Sequence, residues 1–401
     1  MKILVVGGGS GGHVTPAIAV VREILRIKPR ARVEFWTDRK YYKNVVKITT
    51  LSEAGGDLPM RVRKIASGKF MRYAGWGIGD YLKHLDVLLV DVIFKNICGL
   101  FGVVMGIVTS FARMIGKKNR PDVVFLKGGY VGVPVGIVAR VLRIPYIIHE
   151  SDVSAGLANR ILMRKARVVA MGARFEKKAG RENWEWVGVP IGVEFRKVSE
   201  TRQAKLKEAF GFCSSKPLVV ITGGSQGSEH INEAVKQFLP ELLEEVSVGL
   251  IAGRKRYEQM MELKQFEKWG DGKLKSDFRM WEFNSNMDEL LGAADVVVSR
   301  AGATTIAELE ALGKAVILVP FERLPGGHQV KNAEKLRELG ALEVIYDEEM
   351  VKQPSKLKKM ILELAGDKKK RKELAEKLNR EAKVGAAKRL AEIIVEVGGG
   401  K

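Results

Sequence analysis

Histidine is the side chain best suited to moving a proton near neutral pH, and one copy, His13, directly follows the glycine-rich run Gly7-Gly8-Gly9-Ser10-Gly11-Gly12. Glycines lack the Cβ atoms that hold phosphate oxygens away from backbone N–H groups. A helix after such a run, here expected to start near Pro16, adds unpaired donors and a partial positive charge. Gly7, Gly9 and Gly12 also satisfy the dinucleotide-binding spacing, with Asp38 as a loose candidate for its acidic residue. A tight strand-to-helix turn with no ligand accounts for the same glycines. At the edge of a phosphate-type loop, His13 can take the proton of an acceptor hydroxyl; a polar helix cap is its plainer use.

A second constellation lies in the other half of the chain. Gly223-Gly224-Ser225-Gln226-Gly227 follows an apolar run, and the Ser225 hydroxyl can donate to a phosphate oxygen. Gly302 permits close approach to a helix expected to start near Thr304, whose N-terminus points N–H groups at an anion. Glu308, one turn in, can accept from both hydroxyls of a ribose; otherwise it is a favourable charge near the positive end of the helix dipole. Gln329 offers donors and acceptors suited to sugar hydroxyls, or is a surface residue on its helix.

These residues need a scaffold. Apolar, β-branched runs at 3–6, 33–36, 123–126, 146–149 and 168–171 alternate with stretches of helical periodicity, and so do runs at 218–222, 248–252, 296–299 and 315–319. That alternation predicts parallel sheets covered on both faces. Each half begins with a short apolar strand running into a glycine loop, so two doubly wound domains are expected, 1–190 and 191–379. A C-terminal helix near 380–401 is able to return to the first. Pro190 and the glycines beside it mark the junction.

Length agrees with two domains, because 401 residues exceed one ordinary core. Two cysteines, Cys98 and Cys213, far apart in sequence, suggest neither a disulfide framework nor structural zinc. The opening strand and glycines are not a signal peptide. A net charge of +21 calls for an anionic partner. No nucleic-acid-binding motif is present, so anionic lipid is the better partner. Residues 87–115 supply the means: an apolar run interrupted or flanked by Asp91, Lys95 and Arg113, with Lys64, Lys69, Arg72, Lys83, Tyr73, Trp76 and Tyr81 upstream. A helix lying in a membrane surface and a buried core helix are both open readings.

The motifs taken together resemble the MurG family, bacterial transferases that add N-acetylglucosamine to lipid I. GGGSGGHVTPA (7–17), KGGYVGVPVGIVAR (127–140) and IPYIIHESDVSAGLANRIL (144–162) are similar to its N-terminal motifs. TGGSQGSEHIN (222–232), SRAGATTIAELEALGKAVILVPF (299–321) and GHQVKNA (327–333) are similar to its C-terminal ones, in the same order. The resemblance implies an α/β fold of GT-B type, two doubly wound Rossmann-like domains facing across a cleft. It implies inverting transfer from UDP-GlcNAc to a lipid-linked pyrophosphoryl sugar, giving lipid II for peptidoglycan synthesis. The cytoplasmic membrane face is the expected location, with no metal or other cofactor.

Carried over residue by residue, it places donor contacts on Ser225, Asn284 (through the backbone, to uracil), Ala303, Thr304, Thr305, Ile306, Ala307, Glu308 and Gln329. Ser10, Gly11, Gly12 and Asp152 join them from the first half, near the sugar. Gly9, Gly128, Gly129, Tyr130, Glu150 and Asn159 fall on the acceptor side, with His13 as the base. Asp152 stands where the family usually has asparagine. Gly192 stands where an arginine often follows, with Arg196 or Arg300 as possible substitutes. Other readings are a diacylglycerol glycosyltransferase, an NAD(P)-dependent oxidoreductase and a noncatalytic nucleotide-sugar-binding protein.

Overall fold

The computed structural model describes residues 1–50, 58–70, 92–174, 181–212, 215–224, 227–268, 277–323 and 326–400. The chain forms two compact units, Met1–Gly192 with Gly385–Lys401, and Val193–Val384.

In the first unit the described strands are β1 (Lys2–Val6), β2 (Arg32–Thr37), β3 (Met60–Lys64), β4 (Val123–Leu126), β5 (Tyr146–Glu150), β6 (Val168–Met171) and β7 (Trp184–Trp186). All pair in parallel, in the order β3-β2-β1-β4-β5-β6-β7. In the second they are β8 (Leu218–Thr222), β9 (Ser247–Ile251), β10 (Phe278–Trp281), β11 (Val296–Ser299), β12 (Ala315–Leu318) and β13 (Glu343–Val344). Their order is β10-β9-β8-β11-β12-β13, also parallel. Strands buried on both faces must be largely apolar, which is why β4, β8 and β11 read as nearly continuous apolar runs rich in valine. In each sheet the winding reverses once, at β1/β4 and at β8/β11. A crevice at the carboxyl ends of the strands is the usual ligand position in such sheets.

Helices cover both faces of each sheet. The C-terminal helix Ala386–Gly398 packs in the first unit against the helix Gly11–Ile27, contributing Leu390, Ile393 and Ile394 to the core with Ile3, Val5 and Phe125. Helix Lys95–Met114 behaves differently. Its inner face is small: added Cβ atoms would meet Ser67 O at 2.8 Å from Gly102 and Pro134 at 2.9 Å from Gly106. The outer face carries Phe94, Ile97, Leu100, Phe101, Val104 and Val108, 47–67% exposed. The core-helix reading of this run is therefore overturned; glycines make the packed face and the large apolar residues point away. Its upstream flank at 71–91, with Arg72, Tyr73, Trp76, Tyr81, Lys83 and Asp91, lies outside the described residues, as do Cys213 and Ser225.

Candidate active site

In the first unit the helix after β1 begins at Gly11, not near Pro16. Ser10 is its extended N-cap, without a side-chain cap bond, and its carbonyl accepts from His13 N at 3.2 Å and Val14 N at 3.3 Å. Gly11, Gly12 and His13 are thus the first helical turn. Poor helix formers are tolerated there because first-turn N–H groups have no intrahelical partner. His13 does not cap the helix.

The glycines before it make room for the protein's own side chains. Asp38 accepts from Gly9 N through Oδ1 and from the Tyr130 hydroxyl through Oδ2, both at 3.1 Å. A Cβ at Gly8 would lie 2.7 Å from Asp38 Oδ1, and one at Gly9 2.7 Å from the Tyr130 ring. The carboxylate that a dinucleotide site would offer to a ribose is buried and holds the loop instead. This removes the sequence basis of the oxidoreductase reading.

The turn after β4 closes on the imidazole. Gly128 and Gly129 have φ of +98° and +77°, and a Cβ on Gly129 would lie 3.1 Å from His13 Cδ2 and 3.2 Å from Nε2. His13 Nδ1 is buried without a hydrogen-bond partner. Burial, reinforced by the Lys127 cation, pushes the His13 pKa down to about 4, against weaker opposition from Asp152 and the Lys127 backbone. At neutral pH the ring is uncharged, which is the form able to accept a proton.

Beside it, β5 delivers a brace. Glu150 accepts from Asp152 N at 3.1 Å, Gly156 N at 3.0 Å and Asn159 Nδ2 at 2.9 Å. Asn159 also donates to His149 O at 3.3 Å. Glu150 and Asn159 are buried, so they hold the turn 151–156 in shape from below rather than facing outward. The structure thus gathers Ser10–His13, Gly128–Tyr130, Glu150, Asp152 and Asn159 at the carboxyl ends of β1, β4 and β5. It adds Lys127, buried at the end of β4 and bonded to Ser151 Oγ at 2.6 Å. A lysine ending an apolar strand looks like a surface residue, and its position directly before two glycines was the signal available.

In the second unit the glycine loop follows β8. A Cβ at Gly223 would lie 2.1 Å from Ser228 N, and one at Gly227, with φ of +74°, 2.4 Å from Ala252 O. Ser228 caps the helix Glu229–Glu245 by accepting from Ile231 N. After β11, Gly302 is the N-cap of the helix Ala303–Leu312, with no side-chain cap bond. Nothing lies within 4 Å of where its Cβ would be. That opening leaves the helix N-terminus able to receive an anion. Ala303, Thr304 and Thr305 form the first turn, whereas the side chains of Ile306 and Ala307 are buried in the core.

Burial, and secondarily Glu194, pushes the Glu308 carboxyl up to about 8. It is held mainly as the neutral acid, so it is not a dipole-stabilising charge. Gln329 Oε1 accepts from Phe321 N at 2.9 Å, tying down the loop after β12. Asn284 follows β10, beyond β8 and β9 from these residues. Its Oδ1 accepts from Asn286 N at 2.8 Å.

Arg300 is not available as a substitute cation for the residue at Gly192. Its guanidinium meets Asp347 Oδ1 at 2.5 Å, Ser228 Oγ at 2.6 Å and Val319 O at 3.1 Å, and lies over the Phe321 ring. His230 Nδ1 reaches the other Asp347 oxygen at 2.5 Å. The network pins the glycine loop, the end of β11 and the loop after β12 to one buried carboxylate. Asp347→Ala leaves that cation buried and unpaired, and is expected to lower stability by about 3 kcal/mol. Chemical denaturation of the purified variant measures it.

Comparisons with known proteins agree with this architecture. The glycosyltransferase family 28 N-terminal domain matches residues 3–171 and the family's C-terminal domain matches residues 218–390. A Thermoanaerobacter sp. (strain X514) protein named UDP-N-acetylglucosamine--N-acetylmuramyl-(pentapeptide) pyrophosphoryl-undecaprenol N-acetylglucosamine transferase is 31% identical over 401 residues, covering 99% of this chain and 100% of its own. A Bacillus thuringiensis (strain Al Hakam) protein of the same name, numbered 3, is 32% identical over 352 residues, 87% of this chain and 88% of its own. The crystal structure of Acinetobacter baumannii MurG superposes with a TM-score of 0.68 at 22% identity, covering 98% of this chain and 99% of that one. The chain therefore belongs to glycosyltransferase family 28 and, within it, to the MurG group.

Proposed function

We propose that this protein transfers N-acetylglucosamine from UDP-GlcNAc to lipid I, an undecaprenyl-pyrophosphoryl-MurNAc-pentapeptide, giving lipid II at the cytoplasmic face of the membrane. The observation that carries this reading is His13: an uncharged, desolvated imidazole backed by the Gly128–Gly129 turn in a chain that matches such transferases from end to end. The acceptor sugar hydroxyl attacks the anomeric carbon of N-acetylglucosamine. Its O–H bond breaks as His13 takes the proton, the new C–O bond forms, and the bond to the diphosphate breaks. UDP leaves with the electron pair and the configuration inverts.

Donor binding is assigned to the second unit. The helix N-terminus at Gly302–Thr305 and the loop from Gly223 receive the diphosphate, and their dipoles stabilise the charge that grows on it as UDP departs. Ser225 adds its hydroxyl, Glu308 and Gln329 the ribose and sugar contacts, and the Asn284 backbone the uracil contact. From the first unit Ser10, Gly11, Gly12 and Asp152 serve the donor sugar, and Gly9 and Gly128–Tyr130 the acceptor, with Glu150 and Asn159 bracing them.

The membrane surface is assigned to the helix Lys95–Met114. It is flush against the body along Gly99, Gly102 and Gly106, so crossing a bilayer would tear it from residues 66–69. Lying in the interface keeps that packing and buries the exposed apolar row. Exposed Lys64, Lys69, Lys117, Lys118 and Arg120 flank it and suit anionic headgroups.

Turnover of UDP-GlcNAc with lipid I, followed by UDP release and by the appearance of lipid II, tests the assignment. A protein that releases no UDP with lipid I but glycosylates diacylglycerol, or that binds UDP-GlcNAc without turnover, overturns it.

The pH dependence has a defined sign. Substrate diphosphates in diester linkage gain no proton between neutral pH and pH 5, and His13 stays uncharged until about pH 4. The His13 limb of kcat/KM therefore falls well below the ordinary histidine range near 6.5. Stability moves differently. Below about 6.5 the unfolded chain binds protons at His13 and His149 that the folded chain does not, which costs stability as the pH falls, whereas Glu308 and Glu310, pushed up to about 8 by burial, take up protons in the folded chain first and add stability over the same range. Initial rates across pH 5–7.5 should show flat kcat/KM, and melting midpoints of the parent compared with His13→Ala over the same range should show the parent losing more stability toward pH 5 than the variant, which lacks the His13 contribution.

A further inference from the structure

The helix Arg39–Thr50 carries its charges against its own stability. Its inner face is Tyr41, Val45 and Thr49, buried and spaced by four. The opposite face holds Arg39, Lys40, Lys43 and Lys47, all exposed, and the helix contains no carboxylate. Arg39 with Lys43, and Lys43 with Lys47, are like charges one turn apart, which repel. Arg39 and Lys40 also stand at the positive end of the helix dipole, where cations are unfavourable. Among the described residues no carboxylate forms an ion pair with Arg39, Lys40 or Lys43; the Lys40 ammonium lies 5.4 Å from the centre of the Tyr41 ring. A basic helix with only a solvated face mixes both signs, as Lys368–Glu381 does by pairing Lys377 with Glu373.

This helix is joined to the turn that bears His13. Asp38, the residue before it, accepts from Gly9 N and from the Tyr130 hydroxyl at 3.1 Å each, so its carboxylate is spent on the loop rather than on the helix. The Tyr41 hydroxyl is within hydrogen-bonding reach of the Gly11 backbone, two residues from His13. The cationic stripe therefore starts beside the acceptor loops and runs away from them, covering about 12 Å from Arg39 to Lys47 at the helical rise. The turn after β5 carries the opposite sign, Asp152. An anionic chain leaving the acceptor sugar is repelled by Asp152 and drawn toward Arg39.

We propose that Arg39, Lys40 and Lys43 hold the carboxylates of the acceptor's peptide stem. The proposal rests on the lipid I reading above and deepens it. In an N-acetylmuramyl peptide the stem hangs from C3 of the sugar, one carbon from the C4 hydroxyl that receives the new residue, so it leaves the site close to His13. The stem ends in a free carboxylate, and each acidic residue along it adds another. Anionic headgroups are the competing occupant. Membrane contact has its own element, however: Lys95–Met114 exposes a row of large apolar side chains, whereas Arg39–Thr50 exposes one, Ile48, at its far end.

Two triple variants of the full-length protein test this. One is neutral (Arg39→Gln, Lys40→Gln, Lys43→Gln) and one keeps the charge (Arg39→Lys, Lys40→Arg, Lys43→Arg). Each is assayed with a short-chain, water-soluble lipid I analogue and with the same compound after its stem carboxylates are converted to amides. With the first acceptor the neutral variant is expected to raise KM about tenfold at nearly constant kcat, the sum of three individually weak exposed pairs. The charge-keeping variant stays near the parent. With the amidated acceptor KM is already raised in the parent, and the neutral variant changes it less than twofold. Added salt moves the parent's KM toward that of the neutral variant. An unchanged KM, or equal changes with both acceptors, overturns the proposal; equal changes joined to lost sedimentation with anionic vesicles assign the stripe to the membrane instead. Binding of a fluorescent N-acetylmuramyl-pentapeptide, read by anisotropy, needs no turnover. A parent that transfers nothing to lipid I overturns the functional reading, and anisotropy still decides the surface: equal binding by the parent and the neutral variant overturns it.

Discussion

His13→Ala is expected to lower kcat with lipid I by about 10²–10⁴-fold, the range of a removed general base, while UDP-GlcNAc binding stays within about twofold. The split follows from where the residue sits. His13 lies in the first unit with its ring against Gly129, whereas the donor is assigned to loops and helix termini of the second unit. Loss of the ring removes the proton acceptor without touching the proposed UDP site. The ring's Nδ1 has no hydrogen-bond partner to lose, but its interaction with the Lys127 backbone goes with it, so melting midpoints of variant and parent are compared. Steady-state rates and calorimetric titration with UDP-GlcNAc provide the measurement. A variant within threefold of the parent rate would show that another group takes the proton.

Replacing Phe94, Ile97, Phe101 and Val104 together with serine is expected to release the protein from anionic vesicles. These side chains are 47–67% exposed in water. Each transfers about 1.5 kcal/mol of burial on entering an apolar phase, so the set is worth about 6 kcal/mol, or about 10⁴ in partition. The packed face of the same helix is untouched, so folding should be preserved. Sedimentation with vesicles of zwitterionic lipid, with and without about one third anionic lipid, separates the apolar contribution from the charge contribution. Added salt should weaken binding of the parent to anionic vesicles, since flanking lysines act over a Debye length. Undiminished binding of the quadruple variant would assign the membrane surface elsewhere. Turnover of a water-soluble acceptor analogue should survive the substitutions, which distinguishes lost docking from a damaged site.

Much of the fold was readable from residue type alone. Parallel strands buried on both faces must be nearly continuous apolar runs, and β4, β8, β11 and β12 are such runs. The two glycine loops were equally plain, because no other residue fits at Gly8 beside Asp38 or at Gly223 beside Ser228 N. The start of the first helix was misplaced. Glycine and histidine are poor helix formers and proline favours a first turn, yet the N-terminal turn makes few demands on its residues. Arg300 could not be judged from the sequence, since its partner Asp347 is distant along the chain and only the fold brings them together. Lys127 was missed for the same reason: burial of a strand-end lysine is a tertiary fact. Glu308 stood out as a site candidate, but its neutral form follows from desolvation that no spacing encodes.

The glycine face of the helix Lys95–Met114 has a consequence for geometry. Gly106 approaches Pro134, on the helix Gly132–Val141, and that helix begins directly after the turn that backs His13. The helix that bears the lipid-facing row thus packs closely, through Gly106 and the Pro134 ring, on the helix that follows the turn backing the imidazole. A protein seated at a given depth in the headgroups would carry its proton acceptor at a fixed height above the bilayer, matched to an acceptor whose own height is set by its lipid anchor. Bulkier residues at Gly102 or Gly106 would disturb that packing and misalign two heights that must coincide.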